Sequence, residues 1–244
     1  MAVIAIHSAK GGVGKTTLAA NLAWCAATIS CRQTLLWDLD PAGGAGFLFD
    51  VEGKAGKDAG DVFDQSRDPA KLVRRTAFPR LDLLPADESI RTLDSQLAAI
   101  GKRKRLAKLT AGLGKEYERI VLDCPPVLGE LSAQVIRAAD LVVVPVPPSP
   151  LSIRALDQAR AAIGAQDSDA PVLLPVITML DRRRVLHREL AEAHPDWPVI
   201  PLASTVEQCA VRRQPVGGFA PRSAAGRAFA ELWATIERRL AERR

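Results

Sequence analysis

The chain has 244 residues, of which 48% are hydrophobic and 25% charged, with a net charge of +5. That apolar share is too high for a disordered chain, and apolar runs such as Leu141–Val146 fall far short of the ~20 residues a membrane-spanning helix needs. At roughly 150 residues per domain, the length allows one large domain or two small ones. The charge surplus is uneven, since residues 177–244 hold 12 arginines and no lysine against 8 acids. Such a surplus fits either a polyanion partner, nucleic acid or anionic lipid, or an arginine-rich helix surface set by a GC-rich genome. The cysteines at 25, 31, 124 and 209 show no C-x-x-C spacing, and three lie in apolar stretches. Buried thiols in a reducing, cytoplasmic compartment follow. Residues 1–7 lack the basic segment and cleavage site of a signal peptide.

Ala2–Ile6 is apolar and partly β-branched, which predicts a buried strand, and it ends at Ser8-Ala9-Lys10-Gly11-Gly12. Lys15–Thr28 follows as a helix, with Leu18, Leu22 and Cys25 at apolar spacing. Further strands are expected at 33–37, Leu81–Leu84, 119–122, 141–145 and 172–178. Helices are expected at about 90–113, Glu130–Ala138, 151–163 and 183–193. Short apolar strands alternating with helices predict an α/β fold: a doubly wound, mostly parallel sheet with helices on both faces. The stretch 43–80 is rich in Gly, Asp and Lys and reads as a surface excursion with one or two short helices. There is no linker and no repeat, so one domain is expected over 1–244. No helix-turn-helix is expected ahead of the first strand. A last helix is expected over 222–242.

Lys10-Gly11-Gly12-Val13-Gly14-Lys15-Thr16-Thr17 lies between a strand and a helix. In that context glycines let backbone N–H groups converge on a phosphate, and the helix N-terminus adds its positive end. Lys15 is expected to reach the β- and γ-phosphates of ATP, and the Thr16 hydroxyl to ligate Mg²⁺. The first glycine of the standard P-loop pattern is replaced by Ala9, and Lys10 opens the glycine run instead. This resembles the deviant Walker A motif of the ParA/MinD family of ATPases. The resemblance implies a P-loop NTPase fold, ATP hydrolysis that is weak without an activator, and a nucleotide-sandwich homodimer. Lys10 would then cross to the phosphates of the other subunit.

Asp38-Leu39-Asp40-Pro41 ends the second strand, so its two carboxylates point the same way along an extended chain. The resemblance assigns Asp38 to the Mg²⁺ shell through water and Asp40 to positioning the attacking water. ParA proteins usually read D-x-D-P-Q-G-N, whereas this chain continues Pro41-Ala42-Gly43-Gly44-Ala45. Asp123, at the end of an apolar run and followed by Cys124-Pro125-Pro126, looks like the family's Walker B aspartate on the metal side. Thr178-Met179, before Asp181 and Arg182, is similar to a later family stretch. Residues 201–210 loosely resemble the segment that closes over adenine.

ParA-type proteins bind DNA non-specifically as ATP dimers, and the resemblance makes Arg182, Arg183, Arg184, Arg188, Arg212, Arg213, Arg222 and Arg227 the DNA-binding candidates. Such binding needs only cations near phosphates. The tract Lys102-Arg103-Lys104-Arg105 is a second, lower-ranked patch, because four successive helical residues spread around the axis. Phe229, Leu232, Trp233, Ile236 and Leu240 form one apolar stripe. The preferred reading is a helix docked on the sheet; the alternative is an amphipathic anchor of the MinD kind.

The reading is a nucleoid-associated ParA-type ATPase that partitions or positions plasmid, chromosome or other cargo, with hydrolysis stimulated by a ParB-like partner. The alternatives are a MinD-like membrane-surface ATPase or a cellulose-secretion accessory ATPase. A metabolic or metal-handling relative on the same fold is a third class; for an iron-cluster protein only Cys124 lies near the site. His7, His187 and His194 have no ligand-like spacing, so no metal beyond Mg²⁺ on the nucleotide is expected.

Overall fold

The computed structural model describes residues 1–51, 59–64, 68–100, 104–126, 129–164 and 170–243. The elements in chain order begin with β1 (Ala2–Ile6), α1 (Lys15–Thr28), β2 (Thr34–Asp38), α2 (Gly44–Leu48), α3 (Asp61–Asp64), β3 (Arg74–Arg75) and β4 (Leu81–Leu84). Next come α4 (Leu93–Ile100), α5 (Arg105–Leu113), β5 (Arg119–Asp123), α6 (Glu130–Ala138), β6 (Leu141–Val146) and α7 (Pro150–Gly164). The chain continues through β7 (Val172–Leu180), α8 (Val185–Ala193), β8 (Val199–Pro201), α9 (Ser204–Arg212), α10 (Val216–Phe219) and α11 (Ala224–Glu242).

The strands form one sheet in the order β3-β4-β2-β5-β1-β6-β7-β8. Every pairing is parallel except that of β3 with β4. A parallel sheet needs helices on both faces, and the strand residues divide accordingly. Ile4, Ile6, Leu36, Val121 and Val143 join a core with α1 and α11, while Val3, Ala5, Leu35, Trp37, Leu122 and Val144 join one with α6 and α7. All residues of β1, β2, β5 and β6 are buried, which is why these strands read as continuous apolar runs.

The stripe of α11 is buried against the first core. The Trp233 indole N–H donates to Ser30 Oγ at 2.8 Å, and the Arg119 guanidinium donates to both Glu237 oxygens at 2.7 Å. This apolar face therefore packs on the sheet. Among the described residues no helix is long and apolar enough to cross a membrane.

Three expectations change. The helix expected over 90–113 is split: Asp87 caps a 3-10 turn over Glu88–Thr92, α4 follows, and a new helix begins at Arg105. The restart is fixed from outside the segment, because Gln134 Oε1 accepts Leu106 N at 3.0 Å and Arg105 Nε donates to Phe63 O at 2.7 Å. Of the basic tract, Lys102 and Arg103 lie outside the described residues, and Arg105 is buried, so it adds no open charge to Lys104. The stretch 43–80 is not purely superficial either, since Leu48, Phe49, Val62, Phe63 and Leu72 are buried in the two cores. Smaller shifts place β2 over Thr34–Asp38, extend β7 to Leu180, and leave Arg183 ahead of α8.

Candidate functional site

The winding of the sheet reverses at β1, which lies between β5 and β6. In open parallel sheets the crevice beyond the strand ends at such a reversal is where ligands bind. The loop leaving β1 turns on Gly12 (φ 69°) and Gly14 (φ 90°), left-handed values that disfavour any side chain. Gly14 caps α1 with no side-chain hydrogen bond, which leaves the first-turn N–H groups for an anion. Lys15 is buried, and its ammonium donates to Lys10 O at 3.2 Å. Burial lowers its pKa, while Asp123 and Asp40 oppose that shift. The Lys10 ammonium donates to Ser149 Oγ and Ser152 Oγ, each at 3.0 Å.

Asp38 and Asp123 are register partners on the neighbouring strands β2 and β5, and both are fully buried. Asp38 accepts the N–H of Asp40 and of Ala45, each at 3.0 Å. Among the described residues neither Asp123 oxygen has a well-formed hydrogen bond. Burial pushes Asp38 up to about 7 against the weaker pull of its N–H donors. Asp123 is raised well above the ordinary range by burial and then by Asp38, with the Thr16 hydroxyl opposing. Two adjacent buried carboxylates, one of them without a well-formed bond, beside a threonine hydroxyl suit a hard divalent cation with oxygen ligands. Mg²⁺ fits this set, with Thr16, Asp38 and Asp123 as the groups that would hold it directly or through water. When bound, it would neutralise charge on the nucleotide's terminal phosphates.

This arrangement has a pH signature. Both carboxyl pKa values are raised on folding, so without metal the folded state holds its protons more tightly than the unfolded chain. Stability conferred below the unfolded carboxylate pKa, near 3.8, is therefore lost as pH rises towards about 7. Asp123→Asn is expected to raise the melting temperature of the nucleotide-free protein by about 3 °C or more near pH 8. It should also flatten the fall in stability as pH rises above the ordinary carboxylate range towards neutrality and reduce the stabilisation by Mg²⁺ and ATP. Thermal melts across that range, with and without the ligands, check this; an unchanged slope contradicts it.

Asp40 is half-buried, and its carboxylate accepts Ala42 N at 3.0 Å. The turn closes through Gly43 N donating to Asp40 O at 2.9 Å, with Gly43 at φ 65°. α2 then begins at Gly44, where an added Cβ would lie 3.0 Å from Thr16 Cγ2 and 3.3 Å from its hydroxyl oxygen. The departure from D-x-D-P-Q-G-N thus has a local geometry: the residue in the asparagine's place is packed directly on Thr16.

A cavity of about 350 Å³ opens beside the loop, lined by Val13, Gly14, Thr17, Thr178, Met179 and residues of 200–203, among others. Thr178 Oγ1 donates to Val13 O at 3.2 Å, tying β7 to the loop. Cys124 is buried with its thiol pKa pushed well up, so it stays protonated. His7 is buried with no partner on either ring nitrogen among the described residues, and burial next to Lys15 lowers it to about 4, which keeps it neutral.

All eight arginine candidates are exposed, in three groups. Arg182, Arg183, Arg184 and Arg188 surround the start of α8, where Arg188 donates to the carbonyls of Arg182 and Arg183. Arg212 and Arg213 end α9, and Arg222 and Arg227 surround the start of α11. Not all offer an open charge: Arg183 pairs with Asp181 at 2.9 Å, and Arg213 pairs with Asp50 and lies over the Phe47 ring. Sequence reasoning missed Ser149 and Ser152, whose only signal is a hydroxyl on either side of Pro150-Leu151.

Similarity to known proteins agrees with this geometry. Residues 1–168 match the family model described as "AAA domain". The sporulation initiation inhibitor protein Soj of Bacillus subtilis is 29% identical, covering 94% of this chain and 96% of its own. The chromosome partitioning protein ParA of Myxococcus xanthus is 31% identical over 78% of this chain and 69% of its own. The chain belongs to the ParA/MinD family of P-loop ATPases. Two solved structures carry this family member's fold. Apo McdA from Cyanthece superposes with a TM-score of 0.85 at 19% identity, covering 98% of this chain and 99% of that one. A Mycobacterium smegmatis chain described as cobyrinic acid a,c-diamide synthase, solved with an ATP analogue and magnesium, reaches 0.82 at 27% identity, covering 100% and 97%.

Proposed function

We propose that this chain is a ParA-type positioning ATPase that closes as a homodimer around two Mg²⁺–ATP units, binds DNA without sequence preference and is reset by a ParB-like activator. The observation that carries this reading is the placement of exposed apolar side chains. Phe47, Leu151, Val185, Leu186 and Leu202 are all large, hydrophobic and exposed. Each lies in a segment leaving the C-terminal end of β2, β6, β7 or β8, so they share the rim that holds the glycine loop. A rim of this kind suits burial against a second copy.

In this reading residues 10–17 cradle the triphosphate and Lys15 bonds its terminal phosphates. Thr16, Asp38 and Asp123 hold Mg²⁺. Asp40 orients the attacking water, and Lys10 reaches the partner's phosphates. The apolar cavity takes adenine. The arginine groups, doubled by dimerisation, meet DNA phosphates and hold the dimer on the nucleoid, and 1–244 acts as one unit. Because the γ-phosphate is present in one state only, hydrolysis opens the dimer and halves the basic surface.

Co-sedimentation tests this. The protein with Mg²⁺ and ATP is expected to pellet with DNA of any sequence, to do so less without nucleotide, and to stay off anionic liposomes. The binding should weaken steeply with salt. DNA binding that ignores ATP, or ATP-dependent binding to liposomes instead, overturns the proposal.

A further inference from the structure

Lys10 does not project freely in the monomer. Its ammonium is held by the Ser149 and Ser152 hydroxyls at 3.0 Å each, and the two hydroxyls are 2.8 Å apart. Ser152 is 1% exposed, and its backbone N–H donates to Ser149 O at 3.0 Å. The pair opens α7, so the lysine charge is set against the positive end of that helix. A carboxylate at either position would form a strong ion pair with Lys10 and also suit the helix end. Neutral hydroxyls instead give two hydrogen bonds against an unfavourable dipole, a holder that an ATP phosphate can outcompete.

We infer that Ser149 and Ser152 are positioning residues that park Lys10 in its own subunit, and that release from this clamp sets how much ATP is needed to bring two copies together. The inference rests on the proposed crossing role of Lys10. It adds a competing intramolecular state to that role: the lysine must leave Ser149 and Ser152 before it can serve a partner. Removing the hydroxyls destabilises the parked state and lowers the threshold. A carboxylate at position 152 deepens the parked state and raises it.

Two readouts separate the clamp from the dimer. In the first, the nucleotide-free full chain is treated with acetic anhydride and Lys10 acetylation is followed by mass spectrometry, with exposed Lys104 as the internal reference. Ser149→Ala/Ser152→Ala is expected to acetylate Lys10 about fivefold faster than the parent, the weight of roughly one net hydrogen bond. An unchanged rate overturns the clamp, whether or not the protein dimerises. In the second, light scattering follows dimer formation as a slowly hydrolysed ATP analogue is added with Mg²⁺. The double alanine variant should dimerise at about fivefold less nucleotide. Ser152→Asp, which the helix end tolerates, should need more. Equal midpoints for all three proteins overturn the inference. If the parent never dimerises while its Lys10 is still protected from acetylation, the dimer reading fails and the clamp stands.

Discussion

Lys15→Ala is expected to lose ATP binding, with affinity down by about 100-fold or more, while the protein still folds. Lys15 is the buried cation of the glycine loop, and without nucleotide it rests on the loop's own Lys10 carbonyl. A carbonyl oxygen is a weaker partner than a phosphate oxygen, so the ammonium is held near the loop and ready to exchange. Burial already costs the charge some stability, which Asp123 and Asp40 partly offset. Alanine removes that cation next to a triphosphate and leaves two carboxylates facing the same anion. Titration with a fluorescent ATP analogue checks the loss, and a cooperative melt checks the fold. Binding within a few fold of the parent would mean that the loop is not the phosphate site.

The second large effect is at Asp40. Asp40→Ala is expected to bind Mg²⁺–ATP within a few fold of the parent but to hydrolyse it about 100-fold more slowly, trapping the dimer on DNA. The carboxylate has a structural task as well, because it accepts Ala42 N in the turn that starts the α2 segment. Asp40→Asn separates the turn from the proposed catalytic role, since an amide oxygen keeps the turn bond but lacks the charge proposed to orient water. Both variants should fail in turnover. If Asp40→Asn hydrolyses ATP normally while alanine does not, Asp40 serves the turn and not the chemistry.

Much of the fold and the phosphate loop is legible in the amino-acid sequence. Strands β1, β5 and β6 are buried on both faces, so they appear as apolar runs with clear ends, and the loop from Lys10 to Thr17 carries its chemistry in adjacent residues. Other features depend on partners distant in sequence. The break between α4 and α5 is fixed by Gln134 and by the Phe63 carbonyl, neither visible in a local apolar period. The excursion after Gly43 reads as superficial because Val62, Phe63 and Leu72 follow no regular spacing, yet they fill the second core. The juxtaposition of Asp38 with Asp123 is a matter of strand register across 85 positions, set by the order β2-β5 in the sheet. Ser149 and Ser152 carry no local signal that links them to Lys10, and only the folded chain brings Lys10 to both. The exposure of the candidate arginines follows from their polar surroundings in the sequence, but the pairing of Arg183 and Arg213 with carboxylates does not.

Whether nucleotide joins two copies through the loop face is measured most directly by light scattering on the eluting protein. A monomer mass is expected without nucleotide, and twice that mass with Mg²⁺ and a slowly hydrolysed ATP analogue. Lys10→Ala should keep a monomer mass under both conditions while still binding the analogue. A parent protein that binds the analogue and keeps its monomer mass would contradict the proposed dimer.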